Sequence, residues 1–135
     1  MSGSSFRQEA LEALYAAEAN NAREPDVDGL RSRAARLAIA VWAERERLDD
    51  LLREVATGWR VERMPAIDRN ILRIGAWELA ETDTPVGVVL SEAVELAKRF
   101  STARSGRFVN GVLAALVPRL RPTGGADDRR PAAGC

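Results

Sequence analysis

The chain has 135 residues, about one domain's worth, and at 46% hydrophobic and 30% charged it has the composition of a globular protein, not of a disordered or membrane-spanning one. No stretch of about 18 apolar residues occurs and no charged-then-apolar leader opens the chain, so a cytoplasmic location and no membrane contact are expected. Histidine is absent and the only cysteine, Cys135, is the last residue, which excludes an intramolecular disulfide, a cysteine-based metal site and the commonest general base.

The formal net charge is zero, but the charges are segregated. Residues 1–28 set Arg7 and Arg23 against Glu9, Glu12, Glu18, Glu24, Asp26 and Asp28, whereas residues 96–126 carry Lys98, Arg99, Arg104, Arg107, Arg119 and Arg121 with no acid at all. A basic run of this kind is an electrostatic footprint for nucleic acid. The competing explanation is that cations gather at helix C-termini to complement the dipole. That accounts for Lys98 and Arg99, and in part for Arg119 and Arg121, but not for Arg104 and Arg107. Arginine outnumbers lysine nineteen to one, a bias that runs through the whole chain and so carries little information about the site.

After a short polar leader, Ser4 or Ser5 is placed to cap a helix over about 6–20, in which Phe6, Ala10, Ala13, Leu14 and Ala17 share one face. Leu11 and Tyr15 lie four apart on its flank, where Tyr15 is expected to be half-buried. Pro25, Asp26, Asp28 and Gly29 mark a loop. A long helical stripe from Leu30 through Val41 and Leu48 to Val55 spans about 30–57. Arg45 interrupts it near the middle, so a kink or break is expected there. Asp49, Asp50 and Arg53 fall on its solvent side. Gly58 is placed to close the helix in the left-handed conformation, with Trp59 folding back onto the core.

Pro65 suits a first helical turn, and Ile67, Ile71, Ile74 and Leu79 then recur at helical spacing to about residue 81. Arg69 and Arg73 are like charges four apart and require compensation from another element, for which Glu92 and Glu95 are the candidates. Thr84 and Pro85 repeat the start signal for a helix to about 100, striped by Val89, Ala93, Leu96, Ala97 and Phe100, with a Glu95–Arg99 pair in the favourable order. Residues 101–106 read as a small polar connection containing Arg104. A last helix begins near Arg107, with Phe108 in its first turn and Val109, Val112, Leu113, Leu116, Val117 and Leu120 as its stripe. Gly111 inside that helix costs about 1 kcal/mol against alanine, which predicts a close approach by another helix. Pro122 ends the ordered pattern, and 123–135 reads as a disordered tail.

The fold class is therefore all-α, with one domain over 1–122. No catalytic site assembles: there is no glycine-rich phosphate loop and no nucleophile elbow, and Asp49 and Asp50 point about 100° apart on a helix. No enzyme activity, cofactor or metal is expected, which leaves a binding protein.

Four linked motifs narrow this further. They are Asp68-Arg69-x-Ile71-Leu72-Arg73, Trp77-Glu78-Leu79, Glu92 to Lys98, and Phe108-Val109-Asn110-Gly111-Val112-Leu113. In order and spacing, residues 59–113 closely resemble the NusB transcription antitermination family, and a weaker match runs back to Ala13-Leu14-Tyr15. The resemblance implies a compact domain of two small helical bundles. It also implies binding to the boxA element of ribosomal RNA leader transcripts, pairing with the ribosomal protein also called NusE, and joining RNA polymerase with other Nus factors. Carried over residue by residue, it assigns RNA contact to Arg7 in the N-terminal arm and to Phe100, Arg104, Arg107 and Phe108 around the last inter-helix connection; Lys98, from the basic run, is expected to join them. It assigns partner contact to Tyr15 and Asp68. The family's arm usually carries several arginines, whereas this chain has Arg7 followed by Glu9 and Glu12, so RNA readout is expected to lean on the C-terminal basic side. The alternative is a protein-only scaffold or homodimer of the same fold with weak or lost RNA binding.

Overall fold

The computed structural model describes residues 4–121. The expected domain limit at 122 and the tail at 123–135 lie outside them. Among the described residues the chain is helical with no strand: α1 (Ser4–Ala19), α2 (Ser32–Ala43), α3 (Arg45–Val55), a short 3-10 turn at Val61–Arg63, α4 (Ala66–Glu81), α5 (Val86–Phe100) and α6 (Ala103–Leu120). Helices α1–α3 form one group and α4–α6 the other, and α4 packs against both. Among the described residues no helix is long and apolar enough to cross a membrane.

The expected interruption of the long stripe is a true break, one residue before Arg45. Glu44 leaves helical geometry (φ −108, ψ 15) and its carbonyl accepts from the Leu48 amide at 2.9 Å, so it ends α2 and starts α3. Arg45 folds back, donating to the Trp42 carbonyl and stacking over the Trp42 ring at 3.9 Å. Pro65 and Pro85 each precede their helix instead of filling its first position, both in extended geometry. Gly58 does adopt the left-handed conformation, at φ +82.

Helix α4 is the centre of the molecule. Ten of its sixteen residues are buried, and it contacts each of the other five helices. Ile71, Leu72 and Leu79 on α4 meet Leu11 and Leu14 of α1, Leu48 and Leu52 of α3, Leu96 of α5 and Leu113 and Leu116 of α6 in one core. Each of these leucines is essentially inaccessible, and burial of each stabilises the fold by about 1.5–3 kcal/mol. At Gly75, α6 packs directly on α4. A methyl group there would lie 2.6 Å from Cδ1 of the buried Leu113, so any larger residue forces the Leu113 side chain to shift within the core. Gly111, the position expected to mark a close approach, is exposed and has nothing within 4 Å of where its Cβ would be.

Four polar groups of α4, Asp68, Asn70, Arg73 and Glu78, are buried beside its leucines, and each is held by a neighbouring helix. Arg7 on α1 is 5% exposed and grips Glu78 through two bonds of 2.7 Å. Arg73 grips Asp49 of α3 through two bonds of 2.8 Å and also faces Glu18 of α1. Arg69 binds Glu18 and donates to the Met64 carbonyl at 2.8 Å, while Asn70 donates to Glu18 at 2.9 Å. Compensation for the Arg69–Arg73 repulsion thus comes from α1 and α3, not from Glu92 and Glu95. Asp49, expected in solvent, is half-buried because it fills this role. Glu95 and Arg99 do not pair; Arg99 lies over the Phe100 ring, at 5.2 Å.

Burial pushes the Glu18 carboxyl up, but the hydrogen bonds from Asn70 and Arg69 and the charges of Arg69 and Arg73 outweigh it, so its pKa lies below the usual glutamate value. A carboxyl lowered on folding contributes stability above its unfolded pKa and loses it as pH falls through the folded one. Glu18→Gln is therefore expected to be less stable than the parent at pH 7, with the gap closing below about pH 4.5; chemical denaturation at a series of pH values measures it, and a gap that stays constant contradicts the linkage. Gly75→Ala is expected to destabilise by roughly 1–3 kcal/mol through overpacking, read as a lowered melting temperature.

Candidate functional site

The basic run divides once its side chains are placed. Arg121 is a structural residue: its guanidinium donates to the carbonyls of Glu78, Leu79, Thr82 and Thr84, capping the C-terminus of α4. Arg119 pairs with Glu54 of α3 at 2.8 Å on the surface. Lys98, Arg99, Arg104 and Arg107 remain, all exposed, with no carboxylate within 4.0 Å among the described residues. They sit at the junction of α5 and α6. Lys98 and Arg99 lie in the last turn of α5, where the dipole favours them. Arg104 and Arg107 do not open α6 from a loop as the sequence suggested. The helix starts earlier, at Ala103, and they lie three apart within its first two turns. The dipole opposes a cation at Arg104, in the first turn, and does not favour one at Arg107, in the second, so local helix energetics do not explain them. Their charge adds to that of the helix N-terminus to make a positive surface suited to anions.

A hydroxyl network holds this junction in place. Thr102 caps α6 by accepting from the Ser105 amide at 2.9 Å. Thr102 and Ser101 hydroxyls meet the Ser105 oxygen at 3.1 and 2.9 Å, and Ser105 donates onward to Asp68 Oδ2 at 2.9 Å. Asp68 stands in the first turn of α4 and is 3% exposed, so it is an internal anchor for the start of α6, not the surface position the sequence reading required. Gly106 brings α6 against Lys98, whose Cγ would lie 3.3 Å from an added methyl group. Between the two helices runs an open groove of about 830 Å³ bordered by Leu90, Val94, Glu95, Lys98, Arg107 and Asn110.

The other expected contacts are dispersed. Phe108 points away from the Lys98 groove to the opposite side of α6, where it packs on Trp59 with ring centroids 4.7 Å apart. Phe100 is 36% exposed under Arg99. Tyr15, expected half-buried, is 42% exposed on α1. Arg7 is removed from the candidate RNA contacts: a guanidinium buried in a two-bond ion pair with Glu78, with Glu92 3.8 Å away, has no free face for a phosphate. Trp59, expected in the core, is 58% exposed. The sequence held a sign of this, since the connector it belongs to has no apolar periodicity.

A family model described as the NusB family matches residues 4–118. The chain belongs to the NusB family. A transcription antitermination protein NusB from Symbiobacterium thermophilum is 49% identical over 96 residues, covering 70% of this chain and 63% of that protein. One from Sorangium cellulosum is 40% identical over 130 residues, covering 87% and 92%. Among solved structures, NusB from T. maritima superimposes with a TM-score of 0.79 at 28% identity, covering 92% of this chain and 96% of that one. The expected family and all-helical fold are thereby established, and α5, its junction with α6 and α6 as far as residue 118 lie inside the matched region.

Because Asp68 holds Ser105 rather than a partner, Asp68→Ala is expected to cost about 1.5–3 kcal/mol, the range for a hydrogen bond to a charged group, and to speed amide exchange in the first turn of α6. Unaltered melting and exchange would return Asp68 to the surface.

Proposed function

We propose that the chain is a transcription antitermination factor that binds the boxA element of ribosomal RNA leader transcripts together with the ribosomal protein NusE and joins RNA polymerase with other Nus factors. The observation that carries this reading is the set of four cations, Lys98, Arg99, Arg104 and Arg107, gathered without carboxylate partners at one helix junction of a NusB-family fold. Unpaired cations on an exposed face cost the protein little in water and gain most when a polyanion releases its counterions to bind them. Arginine is suited to the task because its planar fork matches phosphate geometry. Tyr15, exposed on α1, is the position proposed for contact with NusE.

One observation favours the second reading, a protein-only scaffold or homodimer. The sole arginine of the N-terminal arm, Arg7, is committed to Glu78. Fewer phosphate contacts mean lower affinity and a shallower salt dependence, so RNA binding is expected to be strengthened by NusE. Filter binding of boxA RNA, with and without NusE and across salt concentrations, separates the two readings. Arg107→Ala is expected to weaken binding to all RNA sequences alike and to reduce the salt slope by about 0.7–1. Tyr15→Asp is expected to weaken NusE capture while leaving the binding of RNA by the isolated protein unchanged. No RNA binding with NusE present selects the scaffold.

A further inference from the structure

A second set of cations stands on α2, outside the basic run. Arg33 and Arg36 occupy its first and second turns, and both are exposed. Neither has a carboxylate within 4.0 Å among the described residues, whereas the neighbouring Arg31 pairs with Glu9. The helix dipole opposes a cation at Arg33, and like charges three apart on a helix repel. Local energetics therefore explain neither position.

Both arginines border a pocket of about 170 Å³. Its other walls are Phe6 of α1, Leu37 of α2, Trp77 and Glu78 of α4, and Thr82 and Thr84 of the turn that follows. These walls are held in place. The Phe6 ring lies under the guanidiniums of Arg33, at 3.9 Å, and Arg7, at 4.5 Å. Arg121 holds the turn by donating to the carbonyls of Thr82 and Thr84. Glu78, the one carboxylate in the lining, is taken up by two bonds of 2.7 Å from Arg7. What remains is an apolar lining of Leu37 and Trp77 beside two guanidiniums with no counter-charge. The volume is below the roughly 300–1,000 Å³ of a site for a whole drug-sized ligand, and it suits one inserted side chain.

We propose that this pocket anchors an acidic segment of a protein partner, with the stem of one aspartate or glutamate against Leu37 and Trp77 and its carboxylate on Arg33 and Arg36. Arginine forks bind a carboxylate through two parallel bonds, and stacking on Phe6 holds the Arg33 fork in position beforehand. RNA fits less well, since a base needs an open ring to stack on and the Phe6 ring is already covered. NusE also fits less well: a ribosomal protein carries cations for its own RNA, and this pocket repels cations. The occupant is therefore assigned to RNA polymerase assembled with the other Nus factors. The inference rests on the antitermination reading above and gives it the surface through which the chain joins that assembly.

The test immobilises the full chain with NusE and boxA RNA and measures capture of RNA polymerase assembled with the other Nus factors. The parent is compared with Arg33→Glu/Arg36→Glu and with Arg33→Lys/Arg36→Lys. Acidic residues suit the start of α2, so the charge-reversed chain is expected to melt no lower than the parent. It is expected to capture polymerase at least about tenfold more weakly, with its affinities for boxA RNA and NusE unchanged. The lysine pair keeps the charge without the fork and is expected to fall between the two. Capture by the charge-reversed chain equal to the parent's overturns the proposal. Loss of RNA affinity in that variant also overturns it and gives the pocket to RNA; loss of NusE binding gives it to NusE. A parent that binds RNA and NusE but captures no polymerase overturns this inference and leaves RNA binding standing. A parent that binds neither overturns the reading beneath it as well.

Discussion

Helix α4 sits where every other helix touches it, yet Asp68, Asn70, Arg73 and Glu78 on it are all buried. A buried polar group without a partner costs far more than a partnered one returns, so the positions of these groups constrain everything packed around them. Three helices hold them: α1 holds Glu78 through Arg7 and Asn70 through Glu18, α3 holds Arg73 through Asp49, and α6 holds Asp68 through Ser105. Apolar contact alone would allow the surrounding helices to slide or rotate against α4, because leucine faces tolerate many registers. A two-bond arginine–carboxylate pair does not, since its geometry is planar and directional. The leucines drive the helices together, and the four polar contacts select one arrangement of them.

The apolar half of this was legible in the sequence and the polar half was not. Periodicity found the stripes of the α-helices, including the interruption near Arg45, because a stripe with a 3.6-residue period is written in neighbouring residues; it missed the 3-10 turn at Val61–Arg63 and the early start of α6. Pairings such as Arg7 with Glu78, 71 residues apart, leave no local trace, and an arginine near the N-terminus reads equally well as a free arm. Asp68 was misplaced for the same reason: a carboxylate in a first helical turn is favourable at the surface, and only the position of Ser105 shows that it points inward. Glycine was ambiguous between two positions. Gly75 and Gly111 both lie within helices, and the sequence drew attention to Gly111, while Leu113 packs against Gly75.

Placement also changes what the charge segregation means. Six cations in a row of 31 residues suggested one basic patch, but Arg121 caps α4 and Arg119 pairs with Glu54. The acidic segment at residues 1–28 is likewise partly structural, with Glu18 neutralising Arg69 and Arg73 and Glu9 facing Arg31. Removing these from the tally leaves a smaller basic surface, but a more informative one. Among the described residues its four members have no carboxylate partner, and one of them, Arg104, stands where the helix dipole disfavours a cation. A residue held against its local energetics is better evidence for a ligand than a residue that merely adds to a count.

The two themes meet at Ser105. Its hydroxyl accepts from Ser101 and Thr102 and donates to Asp68, so the residues that cap α6 are tied directly to the first turn of the central helix. Arg104 and Arg107 therefore stand on a helix whose start is pinned to the core, and their long side chains begin from fixed points even though their ends are free in solvent. A site on a pinned helix loses less freedom on binding than one on a mobile loop, and more of the gross interaction with an anion survives as affinity. Trp59 is pinned similarly, by the turn at Gly58 and by the Phe108 ring. Arg107 thus starts from a fixed helix position beside the Trp59 and Phe108 rings, which meet at 53°. A flexible single strand, with alternating bases and phosphates, can adapt its own shape to that fixed template.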